Sequence, residues 1–422
     1  MATSATPGQG VAEHVLYLGW QAEAADALTV HGAEVTCVVT VEDAGAAREH
    51  GFAGGLVVVK DPTSAEEVLA GLFRAGVDPA GLSRVASEEE FALVTVGAIA
   101  ATLGARSMSV PTALALRDKF VQKRLLREAG LRVARCAVAE TLALCSATDI
   151  GFPLVVKPIA GGGARSTYAL TSQDDLDRLT QETPAAEQNG PWLVEEFMAG
   201  VELHVDGVVR EGEVIFLSVC RYLQNLIGIR DGGLVGSVVL PPAGHAPLYA
   251  AVERLTASAL AALAHHEGVF HLEFFQQDES LVFSECAGRI GGGLIREMHA
   301  FSSGLDLYDE WARAVLGVPS GVRSRHPFSN ASYGWVNLPV PAGRIEYLPG
   351  VDDLMEQPGV VLAQVSGKAG EPVPDLTSGS HIRVARLAAH GEDAEGADAR
   401  LRELAAWFPT RARVATAEGI TR

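Results

Sequence analysis

The chain has 422 residues, of which 48% are hydrophobic and 20% are charged, and this composition is typical of a folded globular protein. One hydrophobic core rarely serves more than roughly 250–300 residues, so the length predicts two or three domains. The formal net charge of −19 argues against a nucleic acid or an anionic membrane as partner, and a nucleotide site here would have to supply its own positive charge.

The cysteines and the first residues point to a cellular compartment. Five cysteines are scattered without a CxxC pair, which indicates neither a zinc site nor a disulfide framework. The start MATSATPGQG lacks the basic and apolar regions of a secretion signal. The longest uncharged run, FALVTVGAIAATLGA, is too short to span a bilayer. We therefore expect a protein of the reducing cytoplasm.

Residues 12 to about 115 alternate between short apolar strands and helices. HVLYLGW, EVTCVVT and GLVVVK have the character of strands, and a helical segment follows each of the first and third. This alternation predicts a doubly wound parallel sheet. The turn after the first strand contains Gly19 alone rather than G-x-G-x-x-G, so we do not expect NAD or FAD to bind there.

The segment RDKFVQKRLLREAG predicts a helix over 117–129 that ends at Gly130. Lys119 lies in its first turn, where a cation opposes the helix dipole. That placement is tolerable if an anion is brought to the lysine. A solvated lysine is the alternative.

A glycine-rich loop follows the strand LVVKP, which ends near Lys157. The loop AGGGARS leads into a second strand, TYAL. Backbone N–H groups of such a loop can approach phosphates closely. No GK[ST] follows, so this is not a Walker A loop. A phosphate-binding loop and an ordinary hairpin both remain open on this segment alone.

The segment PWLVEEFMAGVELHVDGVVREGEVIFLSVC predicts a β-meander. Its apolar positions alternate with acidic or basic ones. Considered alone, Glu195, Glu202, His204 and Asp206 are typical of solvated strand positions.

Residues 271–293, HLEFFQQDESLVFSECAGRIGGG, predict two antiparallel strands joined by a short loop. Glu273 and Glu285 would then lie on neighbouring strands and could aim at one point. Two converging carboxylates repel unless a cation lies between them, and Mg²⁺ held by carboxylates and substrate phosphates fits best. Arg289 could meet an anion on the far side of the metal. A hairpin with two surface acids is the alternative.

The pattern changes after about residue 325. Pro- and Gly-rich strand-and-turn segments are followed by an amphipathic helix, AEGADARLRELAAWF. This predicts a smaller α+β unit at the end of the chain.

In this order and spacing, these segments resemble the ATP-grasp superfamily, and within it the carboxylate–amine ligases. The resemblance implies a fold of the α/β and α+β classes in three parts. Residues 1–116 would form a doubly wound, Rossmann-like pre-ATP-grasp domain. Residues 117–325 would form the ATP-grasp fold of two subdomains, with a lid subdomain over about 150–220. Residues 326–422 would form a small α+β C-terminal part.

The resemblance also assigns roles to individual residues. Those implied to bind ATP are Lys119, Lys157, Gly161, Gly162, Gly163, Ser166, Glu195, Phe197, Met198 and Glu202. The two lysines would contact the phosphates, and the loop would close over them. Glu195 would accept from the adenine amino group, with the backbone around Phe197 and Met198 lining the base, and Glu202 would contact the ribose.

The catalytic and metal residues follow from the same resemblance. Glu273 and Glu285 would bind Mg²⁺, with Mn²⁺ as a substitute, and Arg289 would meet the transferred phosphate. The family pattern E-x-N-x-R has Ala287 in place of its asparagine here, and alanine cannot ligate a second ion. Arg296 would hold a substrate carboxylate, with a surface arginine as the alternative. Four further residues could line the substrate pocket in an order that we do not rank: Tyr222, Asn225, Arg230 and His299.

The implied reaction has two steps. A substrate carboxylate attacks the γ-phosphate of ATP, and an amine then displaces phosphate from the acylphosphate to give an amide, ADP and phosphate. The pattern is similar to bacilysin-type L-amino-acid ligases, so the expected partners are a small carboxylate and a small amine, and a homodimer is allowed. The alternatives are a purine-pathway or bicarbonate-activating ATP-grasp enzyme, and an ATP-binding protein without turnover.

Overall fold

The computed structural model describes residues 13–324, 328 and 331–415. It divides into two compact units. The first contains the described residues up to Leu114 together with Tyr308–Ser320, and the second contains Ala115–Leu307 and the described residues from Gly321 onward. Within these described residues, no helix is long and apolar enough to cross a membrane.

The first unit is built on a four-stranded parallel sheet in the order β3-β2-β1-β4, as the alternation of strands and helices predicted. Parallel neighbours need crossover connections, which the intervening helices supply. The strands are β1 (His14–Leu18), β2 (Glu34–Val39), β3 (Gly55–Val58) and β4 (Arg84–Ala86). The helices are α1 (Ala22–Val30), α2 (Val41–His50), α3 (Ala65–Ala75), α4 (Leu93–Leu103) and α5 (Val110–Ala115).

Helix boundaries in this unit follow ordinary capping chemistry. The hydroxyls of Thr40 and Ser64 accept hydrogen bonds from the backbone N–H groups of Asp43 and Glu67, respectively. Gly51 ends α2 at a φ of 85°, in the left-handed region that glycine adopts at little steric cost.

The second unit begins with α6 (Lys119–Glu128) and a four-stranded antiparallel sheet in the order β5-β8-β6-β7. Its members are β5 (Cys136–Thr141), β6 (Leu154–Pro158), β7 (Tyr168–Leu170), α7 (Gln173–Glu182) and β8 (Asn189–Glu196). The apolar faces of its strands form one core with Leu142 and Leu176. The glycine-rich loop connects β6 to β7.

An eight-stranded antiparallel sheet carries the rest of this unit, in the order β13-β12-β9-β10-β11-β14-β17-β16. The elements from its first strand to the end of the central hairpin are β9 (Val201–Arg210), β10 (Glu213–Tyr222), β11 (Gly236–Val239), α8 (Ala246–Ala262), β12 (Gly268–Gln277) and β13 (Ser280–Ala287). Then follow α9 (Ile295–Ser303), β14 (Ser332–Asn337), β15 (Arg344–Tyr347), α11 (Val351–Met355), β16 (Val360–Val365), β17 (Ala385–Gly391), α12 (Ala394–Arg411) and β18 (Arg413–Ala415). Strands β15 and β18 pair in a separate two-stranded sheet. Between α9 and β14 in sequence lies α10 (Leu307–Leu316), which from Tyr308 onward belongs to the first unit.

The sheets cut across the predicted domain boundaries. Strands β9 and β10, which fall in the predicted lid at about 150–220, pair within the eight-stranded sheet rather than with β5–β8. The predicted C-terminal part from residue 326 supplies β14, β17 and β16, and β14 pairs directly with β11. Backbone hydrogen bonds therefore make these strands part of the same sheet as the central hairpin.

The apolar-periodic segment after Gly293 would suit a single helix, but it folds as two helices, α9 and α10. The break lies at Gly304, which caps α9 at a φ of 73°. Glycine takes this conformation readily, so its backbone can turn the chain where a helix would otherwise continue.

Candidate active site

The two acidic residues of the central hairpin lie directly opposite each other. Glu273 on β12 pairs in register with Glu285 on β13, and the register shifts just after this pair, between Glu273 and Phe274. Side chains of a cross-strand pair project from the same face of the sheet. The strand pairing expected from the sequence is thus observed, and it brings two carboxylates together.

Lys119 connects the helix α6, the glycine-rich loop and this hairpin. Its Nζ lies 3.0 Å from Oε2 of Glu285 and donates to the carbonyl oxygen of Gly161 at 2.8 Å. Asp118 caps the helix by accepting from the N–H groups of Phe120 and Val121. The cation in the first helical turn therefore has a carboxylate partner, and that partner offsets its unfavourable place in the helix dipole.

A second cluster lies around Glu195, at the end of β8. Its Oε1 lies 2.5 Å from Lys157 Nζ on β6, and its Oε2 lies 3.0 Å from Lys123 Nζ on α6. All three side chains are buried. Burial alone would raise the pKa of Glu195, but the charges of Lys123 and Lys157 lower it to about 2. Burial opposes the charged form of Lys157, yet the carboxylates of Glu195 and Glu285 raise its pKa above its usual value.

Lys123 has a buried place that the sequence analysis missed. Its Nζ also donates to the carbonyl oxygen of Ser284 at 2.9 Å, so it ties α6 to β13. Burial lowers the pKa of Lys123, while the charge of Glu195 acts in the opposite direction. Its spacing of four residues from Lys119 places both on one face of α6, and that spacing is the signal that could have found it.

The glycine-rich loop adopts an irregular backbone between β6 and β7. Gly163, Ala164 and Ser166 all have positive φ, of 64°, 56° and 52°. The carbonyl oxygen of Gly162 accepts from Arg165 N, and that of Gly163 accepts from Ser380 N at 3.0 Å. The loop therefore contacts both α6, through Gly161, and the segment before β17.

Strands β8 and β9 carry buried polar side chains. Glu195, Glu202, His204 and Asp206 are each at most 6% exposed, so the interpretation of these four as solvated strand positions was wrong. The alternation of β9 does separate two faces, but both faces are covered in the folded chain. Sequence alternation alone cannot distinguish a solvated polar face from a buried one.

Hydrogen bonds of Glu202 and Asn225 connect the start of β9 to the segment after β10. The backbone N–H of Glu202 donates to Asn225 Oδ1, and Glu202 Oε2 accepts from Leu226 N at 2.6 Å. Burial first, and the charge of Glu273 second, raise the pKa of Glu202 to about 8. Asn225 Nδ2 donates to Gly200 O, so this side chain is engaged with backbone.

Tyr222, His271 and Asp206 surround Glu273. The hydroxyl of Tyr222 donates to Glu273 Oε1 at 2.7 Å, and His271 Nε2 lies 3.4 Å from the same oxygen. His271 Nδ1 lies 2.8 Å from Asp206 Oδ1. Burial opposes the charged form of His271, but Asp206 raises its pKa to about 10. The histidine charges hold the pKa of Asp206 well below its usual range despite its burial.

The glycines after β13 allow close approach of the chain to this cluster. A Cβ on Gly291 would lie 2.8 Å from His271 Nδ1 and 2.9 Å from Asp206 Oδ1. Gly293 has a φ of 75°, and a Cβ there would lie 2.2 Å from the ring of Trp335. Any side chain at either position would displace its neighbours.

Comparison with known protein families recognises one domain in this chain. A profile described as the ATP-grasp domain matches residues 124–292. The chain contains an ATP-grasp domain. The predicted resemblance to the ATP-grasp superfamily and the predicted fold class are confirmed.

Proteins similar to this chain include ligases. It is 26% identical over 312 residues to an L-arginine-specific L-amino acid ligase of Bacillus subtilis, covering 72% of this chain and 74% of the relative. An L-amino acid ligase from Bacillus licheniformis has a similar structure, with a TM-score of 0.73 at 18% identity, over 96% of this chain and 98% of the other.

A carboxyaminoimidazole ribonucleotide synthase from Aspergillus clavatus, solved in complex with ATP, also shares the fold. Its TM-score is 0.71 at 17% identity, over 94% of this chain and 99% of the other.

Two predicted base contacts lie directly after β8 in the ATP-grasp domain. Phe197 and Met198 are half-buried and irregular in backbone, and Phe197 N donates to Pro153 O at 3.3 Å. Their roles toward adenine, and that of Glu195, stay predictions. In the structure both oxygens of Glu195 face lysines.

The two predicted catalytic arginines have different surroundings. Arg289 is half-buried two residues past β13, and its Nη1 donates to Ile290 O at 2.7 Å. Arg296 makes a forked contact with Asp306, through Nε at 3.1 Å and Nη2 at 2.6 Å. Because its fork already meets a protein carboxylate, we do not carry Arg296 into the proposed mechanism.

Of the other predicted pocket residues, His299 joins the Asp206 cluster and Arg230 does not. His299 Nε2 lies 3.3 Å from Asp206 Oδ2. The Arg230 guanidinium lies 4.4 Å from the centre of the Tyr168 ring on β7. Arg230 therefore contacts the strand that follows the glycine-rich loop.

Proposed function

We propose that the protein is an ATP-dependent ligase that joins the carboxyl group of one amino acid, or amino-acid-like metabolite, to the amino group of another. The observation that carries the proposal is the opposed pair of Glu273 and Glu285, with Lys119 linking Glu285 to the glycine-rich loop. The similarity to L-amino acid ligases supports the choice of substrates.

The donor set of this structure fits a divalent cation. Glu273 and Glu285 offer carboxylate oxygens from one face of paired strands, and such oxygens are the ligands that Mg²⁺ prefers. The ammonium group of Lys119 now balances part of this negative charge. When bound, Mg²⁺ or Mn²⁺ would neutralise phosphate oxygens and orient them for displacement.

The residues around the carboxylates suit transfer of a phosphoryl group. Lys119 and Lys157 would hold ATP phosphates, and the N–H groups of residues 161–166 would cover them. The substrate carboxylate attacks the γ-phosphorus as the bond to ADP breaks, which forms an acylphosphate. Arg289 would face the charge that spreads over the transferred oxygens, because a planar guanidinium can meet two of them.

The second step forms the amide. A neutral amine attacks the acyl carbon, loses a proton and expels phosphate. Water would compete as nucleophile, so the glycine-rich loop must stay closed until the amine has reacted. The products are the amide, ADP and phosphate.

The proposed setting is the cytoplasm, with ATP, a small carboxylate and a small amine as partners. Sedimentation of the purified protein will decide whether it acts as the homodimer that the sequence allows.

ADP release tests the proposal directly. Purified protein with ATP and Mg²⁺ is screened against pooled amino acids, bicarbonate and aminoimidazole ribonucleotide, with mass spectrometry of the products. ADP formed together with a dipeptide supports the proposal. Turnover with bicarbonate or the ribonucleotide would support a carboxylase of the purine type. Nucleotide binding without ADP release in any pool would support a non-catalytic ATP-binding protein, in keeping with Ala287 in place of the family's asparagine.

A matched variant separates the enzyme from a contaminating ATPase. Glu285→Gln removes one charge from the carboxylate pair and preserves the shape of the side chain. We expect this variant to lose turnover and to remain folded, with a lower thermal midpoint because Lys119 loses its carboxylate partner. Full activity at limiting Mg²⁺ would contradict the assignment of the metal site.

A further inference from the structure

A continuous chain of buried hydrogen bonds crosses the eight-stranded sheet and ends on Glu273. It begins at Trp335 Nε1, which donates to Ser237 Oγ at 3.0 Å. Ser237 Oγ lies 2.9 Å from His204 Nε2, and His204 Nδ1 lies 2.6 Å from Asp206 Oδ2. Strand register makes this possible, because Asp206 pairs with His271, and His204 pairs with Glu273.

The donors and acceptors in this chain can be assigned from chemistry alone. An indole N–H can only donate, so Ser237 Oγ accepts from Trp335. The carboxylate of Asp206 can only accept, so Nδ1 of His204 carries a proton and donates it to Asp206 Oδ2. The other ring nitrogen, Nε2, lies within hydrogen-bond distance of Ser237 Oγ. Burial lowers the pKa of His204, which agrees with a neutral ring.

The other oxygen of Asp206 orients His271. His271 Nδ1 donates to Asp206 Oδ1 at 2.8 Å, which leaves Nε2 directed at Glu273 Oε1, at 3.4 Å. The Tyr222 hydroxyl donates to that same oxygen at 2.7 Å. Tyr222 and His271 therefore both contact Oε1 of Glu273.

These contacts also account for the polar cluster without a second metal ion. His204, Asp206 and Cys220 offer ligand atoms within 4.8 Å of one another. However, both ring nitrogens of His204 and both oxygens of Asp206 already have hydrogen-bond partners. Asp206 is 0% exposed, and its charge is balanced by His271.

We propose that Tyr222 and His271, the latter oriented by Asp206, are positioning residues that hold Oε1 of Glu273 and thereby present Oε2 to the divalent metal. The inference rests on the proposed metal-binding role of Glu273. Carboxylates that ligate metals are commonly held by such outer hydrogen bonds, and loss of these bonds typically weakens metal affinity by about 10- to 100-fold.

The test measures metal coordination without turnover. The Kd of ADP is measured by calorimetry in EDTA and in Mn²⁺, and the ratio of the two reports how far the protein's carboxylates strengthen binding of the metal complex. Free and bound Mn²⁺ are followed in parallel by electron paramagnetic resonance. We expect Tyr222→Phe to reduce the ratio by about 10-fold or more while the Kd in EDTA stays unchanged.

Tyr249→Phe is the matched control. The Tyr249 hydroxyl is also buried and bonded: it donates to Leu240 O, accepts from Val219 N and interacts with the side chain of Ser218. These partners differ from the Glu273 carboxylate that Tyr222 contacts. The Tyr249→Phe substitution should lower the thermal midpoint about as much as Tyr222→Phe and leave the Mn²⁺ ratio at the wild-type value. An equal loss of the ratio in Tyr249→Phe would overturn the proposal, because general loosening would then explain both.

Two substitutions of His271 separate positioning from packing. In His271→Gln the amide nitrogen can occupy the place of ring Nε2 and still donate to Glu273. In His271→Asn the amide nitrogen reproduces Nδ1, which faces Asp206. We expect His271→Gln to retain most of the Mn²⁺ ratio and His271→Asn to lose it.

The outcomes distinguish this inference from the proposed function. A wild-type Mn²⁺ ratio in both Tyr222→Phe and His271→Asn overturns the positioning role. If Mn²⁺ does not strengthen ADP binding by the wild type, that result overturns both the positioning role and the metal-binding role of Glu273. A chain that shows the expected ratios but releases no ADP with any amino acid retains the positioning network and contradicts only the ligase proposal.

Discussion

The ammonium group of Lys157 lies 2.5 Å from Oε1 of Glu195, and both side chains are buried. The other oxygen of Glu195 lies 3.0 Å from Lys123 Nζ. One carboxylate therefore forms ion pairs with two ammonium groups. This arrangement keeps Lys157 charged and fixed in place at the end of β6, where the proposed function requires a phosphate-binding cation.

Loss of the Glu195 charge should lower the free energy of unfolding more than loss of either lysine. Glu195→Gln leaves two buried ammonium groups without a counter-ion, and breaking a buried ion pair in this way typically costs about 3–5 kcal/mol. Lys123→Met leaves a neutral pair of Lys157 and Glu195 and should cost less. Chemical denaturation of both variants measures the difference.

Glu196→Gln is the control for this comparison. Glu196 is the next residue, and its partner Arg135 is exposed, so the contact should contribute less than about 1 kcal/mol. If Glu195→Gln is no less stable than Glu196→Gln, the two lysines do not depend on Glu195 for their charge balance.

Arg289 should act on the transition state rather than on the fold. Lysine keeps the charge but loses the planar fork, so Arg289→Lys should be nearly as damaging as Arg289→Ala. Removal of one such contact typically lowers kcat on the order of 10²–10³. The Kd of ATP should change much less, because the lysines hold the ground state.

The readouts for Arg289 are kcat, the ATP Kd and the thermal midpoint of both variants. A collapse of the thermal midpoint would make Arg289 structural. A rise in Kd as large as the fall in kcat would make it a ground-state binder.

Nucleotide should protect the glycine-rich loop from trypsin at Arg165. The loop has three residues of positive φ and side chains that are partly exposed, and such segments open locally at little cost. An ATP analogue with Mg²⁺ should order it and slow cleavage several-fold. Arg165→Gln removes the cleavage site and identifies the fragment. Equal cleavage with and without nucleotide would count against a closing loop.

Glu202 should make the stability of the metal-free protein fall as pH rises. Burial and the nearby Glu273 raise its pKa from 4.5 to about 8, so the folded state holds a proton that the unfolded chain releases. The contribution is complete below pH 4.5 and is lost as pH rises to about 8, with a slope of at most about 1.4 kcal/mol per pH unit.

Glu202→Gln should remove this part of the pH dependence, since an amide does not titrate. The pH dependence of stability is measured in the two proteins as thermal midpoints between about pH 5 and about pH 8. Glu279→Gln, in the exposed β12–β13 turn, is the control and should keep the wild-type slope. A wild-type slope in Glu202→Gln would assign the titration to another group.

The sequence by itself determined the features that depend on neighbours along the chain. Glu273 and Glu285 could be placed on paired strands because only a short turn separates those strands, so the hydrophobic pattern and the turn set the register. Local sequence also predicted the glycine-rich loop after Lys157 and the helix that carries Lys119. The order of these segments was enough to indicate the ATP-grasp fold.

Only the tertiary structure decided which polar side chains are buried and what they contact. Asp206 meets His271 because β9 pairs with β12 across a long stretch of chain, and Glu195 meets Lys123 because α6 packs against β5, the strand paired with β8. Alternation along a strand shows that two faces differ, but it does not show what covers each face. Such partners come from non-local packing, which the sequence pattern of one strand does not contain. For this reason the sequence of β9 was interpreted as having solvated polar positions, whereas its two acids and its histidine are buried.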